Sequence, residues 1–420
     1  MKNVLKTACA ILALVLGLCA CTPVDTSSGN DGSEGTVQNG TSGTVTDPDV
    51  YGGIFAKDVI EISINMGEDN LQSLNSSASE EVYYPAEVNV AGYEFGAAGI
   101  KARGNTVWVS GRDSNRYSFK LNFGKFEEGE ELEGLDQLCL NNISYDPSYM
   151  REYLALEAFR MLGEDVPLAT YAKVTVNGEY LGLYLAVEAV DDSYLNRAYG
   201  NNDGSLYKAE KDADLTEYAP ALFDLQNGDD ESMENIGELV HALQTGEGIE
   251  DILNVSSALR YLAVCSALTN TDSYLGKDAE NYYLYDNGGR LSVIPWSLSL
   301  SFGTDKEEIK SDYAIDPELK DAAISAPYFD TEAEKRPLCS ALLSNGAYYE
   351  EYISYVNTLA LWLEGLDLSA LDGRIGEYVA ADPTAVYGNE KYLSELLPEG
   401  EGLAAFIKAR ATALKAQLED

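Results

Sequence analysis

The 420-residue chain carries 70 Asp and Glu against 28 Lys and Arg, a formal net charge of −42. A field of that sign repels phosphodiester backbones and anionic headgroups, which argues against nucleic acid or an acidic lipid surface as a partner. With one histidine, His241, in a helix-like run, a Ser/His/Asp triad or a histidine zinc site has no material; the 45% apolar content suffices for one large core or two joined ones.

The first 20 residues read as a processing segment. Lys2 and Lys6 form its positive end, Ala8 to Leu18 is too short to span a bilayer comfortably, and Leu18-Cys19-Ala20-Cys21 matches a bacterial lipobox. Cleavage before Cys21 with lipid on its thiol is expected, which makes the mature chain an extracytoplasmic, membrane-anchored lipoprotein. Residues 21–50 are mostly Ser, Thr, Gly, Asp and Asn, cannot bury enough apolar surface to offset ordering entropy, and read as a flexible tether. Three cysteines remain beyond it, Cys139, Cys265 and Cys339, in apolar contexts without paired spacing, so buried free thiols are expected.

Strand-like runs follow at Val59–Ile64, Val82–Val90 and Gly96–Lys101, the last leading into Arg103-Gly104-Asn105. In Arg116–Phe123 the two-residue period puts Tyr117, Phe119 and Leu121 on one face and Arg116, Ser118, Lys120 and Asn122 on the other. Arg103 and Lys120 are candidates to converge on one anion. Leu135–Ile143 is a further strand. Asp146-Pro147 opens a helix, with Asp146 as N-cap, that runs through Met150–Leu162 and stops at Gly163. Within it Arg151 lies near the N-terminus, unfavourable for a cation against the helix dipole, so it should have a partner carboxylate.

Tyr171–Val176, Asn177-Gly178 and Glu179–Val187 form a hairpin, because Asn and Gly accept positive φ, and it delivers Glu188 at its end. Gly204–Glu210 is a short strand carrying Lys208. Residues 211–255 read as acidic and helical, and residues 305–335 as an irregular acidic insertion. A helical tail begins at Arg336-Pro337-Leu338 and ends in Leu403–Leu418.

Between these lies the stretch 269–304. An apolar helix-like run (Ser257–Leu268) ends in a polar loop with Asp272; two strands, Asn281–Asp286 and Arg290–Pro295, flank the turn Asn287-Gly288-Gly289; the second runs into Trp296-Ser297-Leu298-Ser299. Helix, acidic loop, tight hairpin and following segment is how a protein kinase builds its catalytic floor, with a base Asp in the loop, a metal-binding Asn where the hairpin starts and a metal-binding Asp just past it. Asp272 and Asn281 stand at the first two places, but Ser297 and Ser299 stand where the last Asp is wanted. Asp191, Asp192 and Asp305 are the surrogate acids to consider.

Taken together, Arg103-Gly104-Asn105, Lys120, Asn177-Gly178-Glu179-Tyr180-Leu181-Gly182-Leu183-Tyr184, Leu206-Tyr207-Lys208, Asp272, Asn281-Tyr282-Tyr283-Leu284-Tyr285, Pro295-Trp296 and Arg336-Pro337-Leu338 resemble the spore-coat-protein-H-like (CotH) kinase family, from about Val59 to about Leu363. The resemblance implies an α+β, atypical two-lobed protein-kinase-like fold, with a β-rich N-terminal part (51–190) and a mainly helical C-terminal part (191–420) holding the catalytic-type hairpin 270–303. It implies phosphoryl transfer from ATP to Ser or Thr of a surface or secreted protein, with Mg²⁺ or Mn²⁺. By position, Arg103 and Lys120 would meet nucleotide phosphates, Glu188 and Lys208 would line the pocket, Asp272 would be catalytic and Asn281 metal-side. Family members read Pro-Trp-Asp-x-Asp where this chain has Pro295-Trp296-Ser297-Leu298-Ser299. The other reading is an inactive kinase-fold lipoprotein that binds surface protein or glycan, the 29 tyrosines suiting glycan stacking although core packing accounts for most of them.

Overall fold

A computed structural model describes residues 50–103, 116–304 and 315–419. The signal segment, Cys21, nearly all of the tether, Gly104-Asn105 and Asp305 lie outside the described residues. The described residues fall within one compact unit, Thr44–Asp420. No helix among them is long and apolar enough to cross a membrane.

The chain is α+β, with its strands concentrated early. Seven strands close a barrel in the order β1-β2-β3-β4-β5-β7-β6: β1 Val59–Asn65, β2 Tyr84–Val90, β3 Tyr93–Arg103, β4 Ser118–Asn122, β5 Gln137–Asn141, β6 Ala169–Val176 and β7 Glu179–Glu188. Alternation explains it. Ile60, Ile62 and Ile64 of β1, Phe119 and Leu121 of β4, and Tyr184 and Ala186 of β7 point into one apolar cluster. The β6–β7 turn uses Asn177 (φ 49°) and Gly178 (φ 83°), as their type predicts. Closure comes from parallel pairing of β1 with β6, Val59 opposite Tyr171 through Ile64 opposite Val176. Helix α1, Glu68–Ser76, lies between β1 and β2, and α2, Arg151–Met161, between β5 and β6.

The outer faces of β5, β6 and β7 are also apolar. Cys139, Tyr171, Leu183, Leu185 and Val187 belong to a second, larger cluster shared with the helical C-terminal part. That part contains α3 Asp192–Tyr199, α4 Glu234–Thr245, α5 Ile249–Ile252, α6 Val255–Ala267, α7 Pro337–Ser344, α8 Gly346–Gly365, α9 Ser369–Ala380, α10 Asn389–Glu395 and α11 Leu403–Glu419. It also holds a four-stranded sheet in the order β11-β10-β8-β9, from β8 Leu206–Ala209, β9 Phe223–Asn227, β10 Tyr282–Asp286 and β11 Leu291–Pro295. Strand β9 interrupts a stretch expected to be helical throughout. It pairs with β8, so the hairpin becomes part of a sheet rather than a free ribbon.

Buried arginines tie the parts together. Arg116 donates to both carboxylate oxygens of Asp382 (2.9 and 2.8 Å), to the Asn142 carbonyl (2.7 Å) and to the Leu183 carbonyl (2.5 Å). Gly182 (φ 152°) lets that pair approach, since a Cβ there would lie 2.3 Å from the Arg116 Nη1. The face shared by Arg116 and Lys120 in the sequence pattern is therefore broken, with Arg116 committed to the core. Arg151 is buried between Asp146 and Glu395, the carboxylates its position called for. Helix α2 starts later than Asp146-Pro147 suggests, after an intervening turn. The Asp146 carboxylate nevertheless accepts the Arg151 N–H at 2.7 Å, satisfying one donor at the helix start. Cys139, Cys265 and Cys339 are free and buried, and burial pushes the Cys265 and Cys339 thiols up to about 12. His241 is an exposed residue of α4.

Candidate functional site

The apolar helix α6 ends at Ala267, and the loop after it is held by its own backbone and by buried tyrosines. The Asp272 N–H donates to Asn270 Oδ1 (3.1 Å), the Tyr274 N–H to the Tyr261 hydroxyl (3.1 Å), and the Tyr274 hydroxyl accepts from the Leu338 N–H (3.0 Å). Asn281 then turns the chain into β10, and its Nδ2 donates to the Asp272 carbonyl at 2.8 Å. The Trp296 N–H, just past β11, donates to the Asn281 carbonyl at 3.2 Å. The loop, the start of the hairpin and the segment beyond it are thus tied into one unit.

Backbone strain concentrates here. Of the non-glycine residues with positive φ, Thr269 (48°), Ala279 (44°), Asn281 (64°), Ser297 (54°) and Phe302 (64°) fall within this stretch. Such conformations cost of order 1–3 kcal/mol each and persist where the surroundings over-determine them. Arg336 is one such constraint. Buried beside the Tyr274 ring, its guanidinium donates to the carbonyls of Gly276 and Lys277. The Arg336-Pro337-Leu338 motif carried no assigned role in the sequence; here it starts α7 and braces the Asp272 loop.

The barrel supplies the opposite wall. Lys120 of β4 stands on the outer face, opposite Cys139 of β5 and Lys101 of β3. Arg103, at the end of β3, donates to Asn141 Oδ1 at 2.6 Å and stacks over the Trp296 ring, 5.0 Å from its centroid. Asn141 in turn donates to both Glu152 oxygens (2.9 and 3.0 Å). Burial raises the Glu152 carboxyl above its usual range, against the pull of Asn141 and Arg103. At the other end of β5, Gln137 donates to Asp191 at 2.9 Å. Four strand steps separate Gln137 from Asn141, so β5 spaces the two polar ends by roughly 13 Å. Tyr283 of β10 is edge-on to Trp296 at 5.8 Å and within the field of both Arg103 and Asp191.

The expected residues separate accordingly. Arg103 and Lys120 share the barrel wall; Asp272 and Asn281 are joined to each other on the hairpin side, and Arg103 meets that side at the Trp296 ring. Lys208 pairs opposite Tyr283 in the sheet, but its ammonium is engaged by Glu210 at 2.5 Å. Glu188 is not brought in. It is fully buried and accepts from Tyr51, the Leu168 N–H and Arg197, the last at 2.7 Å. Of the surrogate acids, Asp191 caps α3 by accepting the Ser193 N–H (3.1 Å) at the Gln137 end, and Asp192 is exposed in the first turn of α3. Asn141 and Glu152, linked to Arg103 by hydrogen bonds, join the candidate site although sequence reasoning passed over them. The one signal was the Asn141-Asn142 pair at a strand end.

Mg²⁺ takes hard, preferably anionic oxygen and dehydrates reluctantly. Where a kinase floor offers carboxylates, this chain offers the Asn281 amide and the Ser297 and Ser299 hydroxyls. Among the described residues, no three His, Cys, Asp or Glu side chains come together to hold a metal ion. The donor chemistry at the expected metal position does not fit a dication held by the protein. What the described residues offer here is Arg103 and Lys120 on the outer face of the barrel, the Trp296 ring beside Arg103 and the Asp272 loop tied to it through Asn281, with the Glu152 and Asp191 carboxylates in the field of the two cations.

Residues 100–414 match the family model described as CotH kinase protein. The inner spore coat protein H of Bacillus subtilis (strain 168) is 28% identical over 222 residues, covering 48% of this chain and 59% of that relative. The match thus spans less than two thirds of the relative's length.

Proposed function

The chain belongs to the CotH kinase protein family, and from that premise we propose that it is a two-lobed, protein-kinase-like nucleotide-binding lipoprotein. In this reading it takes ATP into the cleft between the barrel and the β10–β11 hairpin and transfers phosphate slowly to Ser or Thr of a surface or secreted protein. The observation that carries the reading is the Asn281 hydrogen bond to the Asp272 carbonyl at 2.8 Å, which locks the acidic loop to the hairpin facing Arg103. Arg103 and Lys120 bind the polyphosphate, and Asp272 accepts the acceptor hydroxyl's proton as it attacks the γ-phosphorus and ADP leaves. Phosphoryl transfer rests on positioning and charge stabilisation. Without carboxylates at 297 and 299, its rate should fall by orders of magnitude.

The neutral Ser297 and Ser299 favour a second reading, in which chemistry is lost and the folded surface binds a partner. The relative's name places that protein in a spore coat; for this chain we propose anchorage outside the cytoplasm through lipid on Cys21.

The test is transfer of radiolabelled phosphate from ATP to the protein itself and to a Ser/Thr-containing acceptor, with Mg²⁺ and with Mn²⁺ supplied. Slow incorporation that disappears in Asp272→Ala is expected. Equal incorporation in the variant, or none in the parent, removes the enzyme reading.

A further inference from the structure

The cations of this cleft and the donors at its expected metal position point the same way. Arg103 has neutral partners, the Asn141 amide oxygen at 2.6 Å and the Trp296 ring. Lys120, half-buried on the outer face of β4, makes no hydrogen bond or ion pair among the described residues and feels Asp191 only through the field. In a protein with 70 acids to 28 bases, carboxylates are the abundant partner. Neither cation has a carboxylate in direct contact, Glu152 acting on Arg103 and Asp191 on Lys120 only through the field, so a partly desolvated cation of each kind still gains when an anion arrives. Across the cleft, the Ser297 and Ser299 hydroxyls likewise have no hydrogen-bond partner among the described residues, and the Asn281 amide oxygen is not an acceptor for any of them.

Charge balance makes these observations one argument. Two carboxylates and the dication they hold contribute no net charge to a kinase cleft. Removing all three leaves the cations opposite as the positive charge that meets the polyphosphate. We propose that this cleft takes up its nucleotide without a divalent metal, the polyphosphate charge being met by Arg103 and Lys120. A nucleotide chelated by Mg²⁺ arrives with two negative charges already neutralised, and the cleft has no anionic donor at 297 or 299 to reward the bound metal. Free and metal-bound ATP should therefore bind comparably, or the free form better. This rests on the proposed nucleotide-binding function and adds to it the ionic form of the ligand.

The experiment is calorimetric titration of the purified chain with ATP in EDTA, then in Mg²⁺, then in Mn²⁺. The affinity in EDTA is expected to equal or exceed that in either metal, and Lys120→Ala and Arg103→Ala should each weaken it at least tenfold. The double variant Ser297→Asp with Ser299→Asp is expected to reverse the preference, binding ATP at least tenfold more tightly in Mg²⁺ than in EDTA. Should that variant fail to melt cooperatively, the EDTA titrations of the parent, Lys120→Ala and Arg103→Ala still decide. Binding by the parent only when metal is present overturns the inference while leaving the nucleotide reading intact. No binding under any condition overturns the nucleotide reading, and this inference with it.

Discussion

Asp191 illustrates how single residues here are set by their surroundings. Burial, with Asp136 and Glu188 nearby, pushes its carboxyl up to about 7, and the attraction of Lys120 offsets only part of this. A carboxyl whose folded value lies above its unfolded one binds more protons in the native state. Its ionisation therefore subtracts stability as pH rises from about 4 to about 7, and the deficit is constant above that. Asp191→Asn removes the penalty and keeps an N-cap acceptor for the Ser193 N–H, since Asn caps as well as Asp. Thermal melting should show the variant more stable than the parent at pH 8, by on the order of 1–3 kcal/mol, and little different at pH 4. A gain at pH 4 as large as at pH 8 would show that ionisation is not the cause. Glu188, three positions earlier, shows what one sequence cannot decide at this scale. An acid at a strand end can face a cleft or the core, and here Arg197, nine residues on, draws it inward.

Elements that rest on local chemistry were legible. The hairpins at Asn177-Gly178 and Asn287-Gly288-Gly289, the apolar helix α6 and the start of α7 at Pro337 follow from turn residues, periodicity and the missing proline N–H. Closure of the barrel was not. It depends on parallel pairing of β1 with β6 across more than a hundred residues, which no local pattern encodes. Nor was the side-chain relay from Arg103 through Asn141 to Glu152, which α2 and β5 create only once packed. Gly276 tests how tightly the Asp272 loop is closed, because a Cβ there would lie 1.7 Å from the Thr271 carbonyl oxygen. Gly276→Ala must displace that backbone and should cost about 1–3 kcal/mol, as overpacking does. Gly373, exposed inside α9 with open space where a methyl group would project, is the control. There Ala should stabilise by about 0.5–1 kcal/mol, through helix propensity. Opposite shifts in melting temperature are expected; a Gly276→Ala protein that melts with the parent would mean the loop yields freely.

At the scale of the molecule, the −42 charge acts on every equilibrium the protein enters. Most acids lie on the solvated surface, where like charges repel and the compact state bears the cost. The strong ion pairs are elsewhere: Arg116 with Asp382, Arg151 with Asp146 and Glu395, and Arg197 with Glu188 are buried or nearly so. Salt screens surface charge over about 10 Å at 0.1 M and reaches buried pairs much less. Added salt should therefore weaken the repulsion while leaving those pairs in place. The melting temperature is expected to rise steadily from about 10 mM to about 300 mM NaCl and to level off as the Debye length approaches contact distances. A protein stabilised mainly by exposed bridges such as Lys101–Glu81 and Lys415–Glu364 would instead lose stability over that range. On the proposed nucleotide-binding reading, two effects should likewise compete in anion uptake. Screening the whole-molecule field speeds the approach of an anion, while screening near Arg103 and Lys120 weakens its hold. Stopped-flow association of a fluorescent ATP analogue should consequently accelerate with salt at low ionic strength even as its dissociation quickens. Association that slows from the lowest salt onward would mean that the local cations, not the acidic surface, dominate the approach.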